Sequence, residues 1–254
     1  MSGDRTAVEL NQQREQFLTN PHKAKKFRAT ARTLWESEQG LSEKNRTDRW
    51  TPLYKHTVKK PDGTDRTFGV EVICALRVHL AGLQQNKCCY CRRWLQNVAQ
   101  ARPVEHILSR DDYPQFSLNY WNLALCCRDC NQLKTNKNWS ALPSTATAYP
   151  STVAEHYHPR LHIYDRHIRF VRLETNDSSI AVYQGLTKQG RQLCRDHLKT
   201  ISQVDSLFRN NPRISQAIER LQARGDVIDR DAHSSLGEFI NALHTAVHRI
   251  ADRT

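Results

Sequence analysis

No stretch of this 254-residue chain approaches the roughly 20 consecutive apolar residues that a membrane-spanning helix requires, and the mean hydropathy is −0.72. A membrane role is therefore not expected. No apolar signal stretch follows the opening MSGDRTAVELNQQ, so the reading is cytoplasmic, where thiols stay reduced. Internal repeats, low-complexity tracts and any recognisable sequence-reading domain are missing too. Acidic residues are in short supply: 26 Asp and Glu stand against 38 Lys and Arg, for a formal net charge of +12. A surplus of that size suits a polyanionic partner, nucleic acid above all.

The basic charge concentrates early. Residues 21–60 hold eleven Lys or Arg against four acids, with Trp35 and Trp50 interleaved. Such a segment predicts salt-sensitive, sequence-blind contact with a phosphate backbone; a solvated face or a partly disordered arm is the alternative.

Of eight cysteines, six fall in two knots, KCCYCRRW and LCCRDCNQLK. A C-x-x-C on a tight turn points two thiolates at one centre, and a second pair closes the four-sulfur tetrahedron that structural Zn²⁺ prefers. Cys88, Cys91, Cys127 and Cys130 give two matching spacings and are the expected ligands. Cys89 and Cys126 stand beside them, so the register could shift by one. Cys74 and Cys194 lie in helical patterns, where a buried packing role is ordinary.

Between the pairs runs VEHILSRDDYPQFSLNYWNLALCCRDCNQLKTNK, with an acidic residue and a histidine in a strand-like segment, Asn-Leu before the second pair, and C-N-x-x-K opening a helix. Over residues 87–137 this pattern resembles the HNH endonuclease motif. The resemblance implies an α+β protein: a ββα-metal HNH core stapled by a four-cysteine zinc site, with mainly helical N- and C-terminal extensions. It implies that His106 is the general base that takes a proton from the attacking water. Asn131 and Glu105 would be ligands of a catalytic divalent cation, Mg²⁺ or Mn²⁺, with Glu105 standing where most members carry Asp. Asn122 would hold the loop around the base, and Lys134 would contact phosphate. Phosphodiester hydrolysis asks for these types, since it needs an activated water and charge relief on the nonbridging and leaving oxygens.

Four regions are expected: a basic, mainly helical region 1–66; an HNH core with zinc knuckles 67–140; a loop, two strands and a helix packing on the core over 141–200; and C-terminal helices 201–254. Residues 5–38 read as helical with a break at Asn20-Pro21. Ile73, Leu76, Leu80 and Leu83 mark one face of a helix over 70–85. A helix from about Arg128 to Asn138 would place Asn131 in its first turn, facing His106. Strands are expected at 167–173 and 180–184, then a helix capped by Thr187. In the last fifty residues, Asn211-Pro212 starts a helix and Ser235-x-x-Glu238 fits a capping box. His156, His158, His162 and His167 invite a second metal site; exposed or phosphate-facing side chains are the simpler reading.

The chain also resembles the stand-alone HNH nucleases of bacterial anti-phage operons, Septu-type and retron-linked effectors among them, which implies an ATPase partner. A restriction or mobile-element nuclease is the alternative enzyme. A catalytically inactive, zinc-stapled nucleic-acid-binding module is the alternative of a different class.

Overall fold

Thr6 starts the first helix with a reciprocal cap, its Oγ1 accepting from Glu9 N at 3.2 Å while Glu9 Oε2 accepts from Thr6 N at 2.6 Å. Helix α1 (Ala7–Thr19) buries Leu10, Phe17 and Leu18. Helix α2 (Lys25–Asn45) meets it through Trp35, whose ring stands edge-on to Phe17 at 5.1 Å. The structure, a computed structural model, describes residues 4–19, 25–95, 102–135, 140–174 and 179–202. The break expected at Asn20-Pro21 lies outside them, between α1 and α2. Trp35 is wholly buried, so of the two tryptophans in the basic segment only Trp50 keeps exposed surface. Trp35 is a core residue rather than part of a phosphate-facing patch.

Helix α3 (Trp50–Lys55) leads to a short hairpin, β1 (Val58–Lys59) and β2 (Asp65–Arg66), closed by the Pro-Asp-Gly turn with Gly63 at φ +81°. Helix α4 (Phe68–Leu83) buries Ile73, Leu76 and Leu80 of the stripe that the apolar spacing predicts, with Phe68 and Val72 beside them, while Leu83 at its end is half-buried. Cys74 lies off that stripe and is exposed, correcting the expectation of burial.

Gly69 donates its N–H to His56 O at 2.9 Å, and a Cβ built there would stand 1.7 Å from Leu53 O. Helices α3 and α4 close on each other only because that carbon is missing. Gly69→Ala is therefore expected to cost at least about 2 kcal/mol, a fall of roughly 5 °C in melting temperature. Unchanged thermal unfolding of the variant would refute this contact.

A two-stranded antiparallel sheet follows, β3 (Val104–His106) and β4 (Leu123–Leu125), in the register Val104↔Leu125, Glu105↔Ala124 and His106↔Leu123. Helix α5 (Arg128–Lys134) comes directly after β4. It stops at Lys134 rather than near Asn138, with Thr135 at φ +46°, and residues 136–139 lie outside the described ones.

The chain divides into two compact units, residues 1–163 and 164–254, so the region expected at 141–200 is split after Ile163. Arg5 ties the first unit's N-terminal end to that segment, its Nη1 donating to the carbonyls of Pro159, Arg160 and His162. The second unit holds α6 (Tyr164–His167), the antiparallel pair β5 (Ile168–Glu174) and β6 (Ser179–Gly185), and α7 (Lys188–Leu193). Thr187 caps α7 as its position predicts, its Oγ1 accepting from Gly190 N at 3.2 Å. The helices expected around Pro212 and Ser235 lie outside the described residues. Among the described residues no helix is long and apolar enough to cross a membrane.

Candidate functional site

The first cysteine pair is built by backbone that leaves the helical region at once. Gln85 and Asn86 both adopt φ +54°, swinging the chain out of α4 to the bridge between Lys87 and Trp94. Arg92, at φ +56°, closes the knuckle so that Cys88 N donates to Arg93 O at 2.9 Å. Gln84 then fastens this corner to β4: its Nε2 donates to Lys87 O and Leu125 O, and its Oε1 accepts from Leu125 N. The second pair opens α5, where Cys127 is the N-cap and its sulfur accepts from Cys130 N at 3.4 Å.

The sulfurs of Cys88, Cys91, Cys127 and Cys130 all lie within 4.8 Å of one another, and all four residues are buried. Cys91 and Cys127 Sγ are 3.7 Å apart. A tetrahedron with Zn–S bonds of ~2.3 Å has edges of about 3.8 Å, so the spacing fits the ion. Hydrogen bonds from the Cys130, Cys88 and Cys91 sulfurs drive Cys127 far below an ordinary thiol, while the same contacts and burial push the other three up. Four buried thiols crowded together in this way can hold a structural metal such as zinc, which would keep all four as thiolates. The spare cysteines are not among the four grouped sulfurs: burial raises Cys89, whose thiol bonds that of Cys88, to about 12, and the Cys126 sulfur turns to Glu105.

Cys126 faces the candidate chemistry. Its sulfur lies 3.8 Å from Glu105 Oε2 and 3.6 Å from Asn131 Oδ1, so the expected carboxylate and amide meet on one thiol. Glu105 is 4 % exposed. Its Oε1 accepts from Lys134 Nζ at 2.8 Å and from Tyr90 Oη at 3.2 Å. Burial raises its pKa and the Lys134 ammonium partly offsets that. Lys134, expected on phosphate, instead lies 1 % exposed and also donates to His106 O at 3.0 Å. Its ammonium thus clamps β3 to the end of α5.

His106 leaves the strand next to Glu105, where alternation sends neighbouring side chains to opposite faces. Its Nε2 lies 2.9 Å from Ser117 O. A carbonyl only accepts, so Nε2 carries the proton and Nδ1 is the basic nitrogen. Burial first, then the Arg110 charge, lowers the ring's pKa to about 3. Trp50 packs edge-on against the imidazole at 4.8 Å. The basic N-terminal segment therefore supplies a wall of the site, a role its composition did not indicate.

Asn122 is fully buried and uses its whole amide. Oδ1 accepts from Leu108 N at 2.7 Å and Tyr149 Oη at 3.1 Å; Nδ2 donates to the carbonyls of Leu108 and Phe116, both at 3.0 Å. The loop between β3 and β4 is closed through this one side chain.

The four histidines from His156 to His167 are buried rather than exposed, and hydrogen bonds to the protein hold His158, His162 and His167. His158 Nδ1 accepts from Arg160 N and Leu161 N. His162 Nδ1 accepts from His158 N at 2.9 Å while its Nε2 donates to Val153 O, and His167 Nδ1 bonds Thr187 Oγ1. Burial lowers the pKa of His79 and His158 as it does that of His106. His106 and His158 stay neutral in the folded chain, whereas an unfolded chain protonates them at about 6.5. Stability is then complete above that pH and declines as pH falls through it, because the unfolded state takes up protons first. His106 and His158 each contribute about 1 kcal/mol of that loss one unit below 6.5. Chemical denaturation at pH 7.5 and 5.5 measures this, with a smaller loss expected in His158→Gln than in the unaltered protein.

The described residues define a mixed α+β protein with small antiparallel sheets and a buried four-cysteine cluster able to take a structural metal. No family model matches the chain, and no solved structure does. Part of it is similar to the Septu protein PtuB of Bacillus thuringiensis, 36% identical over 59 residues. That stretch covers 23% of this chain and 23% of the relative, so the similarity spans about a quarter of either protein.

Proposed function

We propose that this chain is a metal-dependent HNH endonuclease that hydrolyses phosphodiester bonds of nucleic acid, acting in anti-phage defence beside an ATPase partner. The observation that carries the reading is the His106 imidazole, fixed by the Ser117 carbonyl with its proton on Nε2, which leaves Nδ1 to accept a proton from water. Asn131 and Glu105, grouped on the Cys126 sulfur, would hold the divalent cation, Mg²⁺ or Mn²⁺, which would supply charge relief at the phosphate oxygens once Glu105 leaves Lys134 and turns to the strand face that carries His106. Ser117 orients the ring, Asn122 holds its loop, and the four-cysteine cluster pins α5 beside β3. The partial likeness to a Septu protein supports the defence role and, with it, a partner in a larger assembly.

A second reading has its own observation. Lys134 already neutralises Glu105, which suits a zinc-stapled nucleic-acid-binding module without activity. One experiment separates the two: the purified protein with Mg²⁺ or Mn²⁺ is offered plasmid, linear duplex, single-stranded DNA and tRNA. Cleavage is expected, with His106→Ala lowering the rate at least about 100-fold while zinc content is unchanged. Undiminished cutting by that variant removes His106 as the base. Binding without cutting by the unaltered protein favours the module. An ATPase that copurifies with the tagged chain supports the defence assembly; site-specific cutting by the protein alone supports restriction.

A further inference from the structure

We propose that Tyr149 and His158 are positioning residues for the His106 base, acting through a directed line of hydrogen bonds that ends at the Phe116 carbonyl, one peptide before the Ser117 carbonyl that orients the imidazole. The proposal rests on the nuclease reading above for its consequence in catalysis, but the line itself is drawn from protons whose places are fixed.

The assignment starts at His158. Its Nδ1 accepts two backbone N–H groups, from Arg160 at 3.3 Å and Leu161 at 3.2 Å, so the ring's single proton sits on Nε2. Nε2 lies 2.7 Å from Tyr149 Oη and donates to it. The tyrosine's own proton then goes to Asn122 Oδ1 at 3.1 Å. With Oδ1 taken by Tyr149 and Leu108, the Asn122 Nδ2 donates to Leu108 O and Phe116 O. The next carbonyl after Phe116, that of Ser117, accepts from His106 Nε2. No donor along this line has a choice of direction. Asn122, Ser117 and His158 are buried and Tyr149 is half-buried, a setting in which a satisfied network is stiff and a broken one costly.

The tyrosine touches this loop twice. Its ring packs edge-on to Phe116 at 5.3 Å, beside the residue whose carbonyl holds the base, while its hydroxyl reaches Asn122. Ser117 is also fixed from the N-terminal side, where its Oγ accepts from Arg49 N at 3.0 Å and bonds Ser42 Oγ at 3.0 Å. Residues from outside the cysteine-bracketed segment therefore hold the general base from both directions. A base displaced by a fraction of an ångström loses much of its effect on rate.

Tyr149→Phe tests the line, since it keeps the ring on Phe116 and removes only the hydroxyl. Two readouts are taken on the full chain with its zinc content confirmed: nitrogen NMR of the His106 ring, and kcat with KM for the best substrate of the cleavage panel. The unaltered protein is expected to show a single Nε2–H tautomer at His106. Tyr149→Phe should mix the two tautomers and lower kcat about 10- to 100-fold with little change in KM. His158→Phe should do the same. His158→Gln, which keeps an N–H near Tyr149 Oη, should restore the single tautomer and most of kcat.

A Tyr149→Phe protein with an unaltered His106 signal and unaltered kcat overturns the proposal, even if its melting temperature falls, because that outcome is purely structural. If the unaltered protein cuts nothing, the nuclease reading fails. The tautomer then decides the positioning line alone: mixing in Tyr149→Phe upholds it, and an unchanged signal ends it.

Discussion

Metal removal is expected to unfold the part of the chain that carries the site, residues 87–135, and to lower the melting temperature by more than about 10 °C. Both knuckles depend on the four-sulfur cluster. Cys127 is at once a candidate ligand and the N-cap of α5, and Cys88 Sγ accepts from Cys127 N at 3.3 Å across the centre. In small zinc domains the metal contributes on the order of 10 kcal/mol to folding, which rivals the whole stability of a typical domain. One zinc per chain is expected by elemental analysis. Cys127→Ser should lose it, whereas Cys89→Ser should keep it, because Cys89 lies outside the cluster. A Cys127→Ser protein that retains full metal, or a fully stripped protein that melts unchanged, would sink the assignment.

Replacing Lys134 is the second large effect. Lys134→Met leaves the Glu105 carboxylate at 4 % exposure without its ammonium partner, and breaking a buried pair in this way costs about 3–5 kcal/mol. It also frees the His106 carbonyl, so strand and helix lose their clamp. The double variant Lys134→Met with Glu105→Gln removes the stranded charge and should recover a large part of the loss. Denaturant midpoints for the two singles and the double close the cycle. Strictly additive losses would show that the two side chains do not act as a pair, and that Lys134 is free to meet phosphate as its motif position implies.

Much of this site could be read in the residues themselves. Paired C-x-x-C spacing selects four sulfurs because two intervening residues allow only a tight turn, and the structure groups those same four. The periodic stripe of α4 and the Thr187 cap were equally legible, since both depend on neighbours within one or two helical turns. Trp35 and Trp50 read alike in a basic segment, yet one is core and the other borders His106. Nothing local distinguishes them; the packing of α1 and α2 does. The burial of the histidines is hidden in the sequence for the same reason. An imidazole is polar by composition, but two backbone donors aimed at one nitrogen make it an interior group.

By itself the sequence determined that two cysteine pairs bracket a histidine, a carboxylate and the Asn122 amide and lead into Asn131, because covalent spacing fixes which groups a short turn can bring together. Only the tertiary structure decided that Lys134 lies inward on Glu105 and that Tyr149, bonded to His158, reaches Asn122. The Lys134–His106 and Tyr149–Asn122 contacts join residues 28 and 27 positions apart, and their energies depend on burial. Burial belongs to the packed chain, since it follows from which distant elements exclude water together.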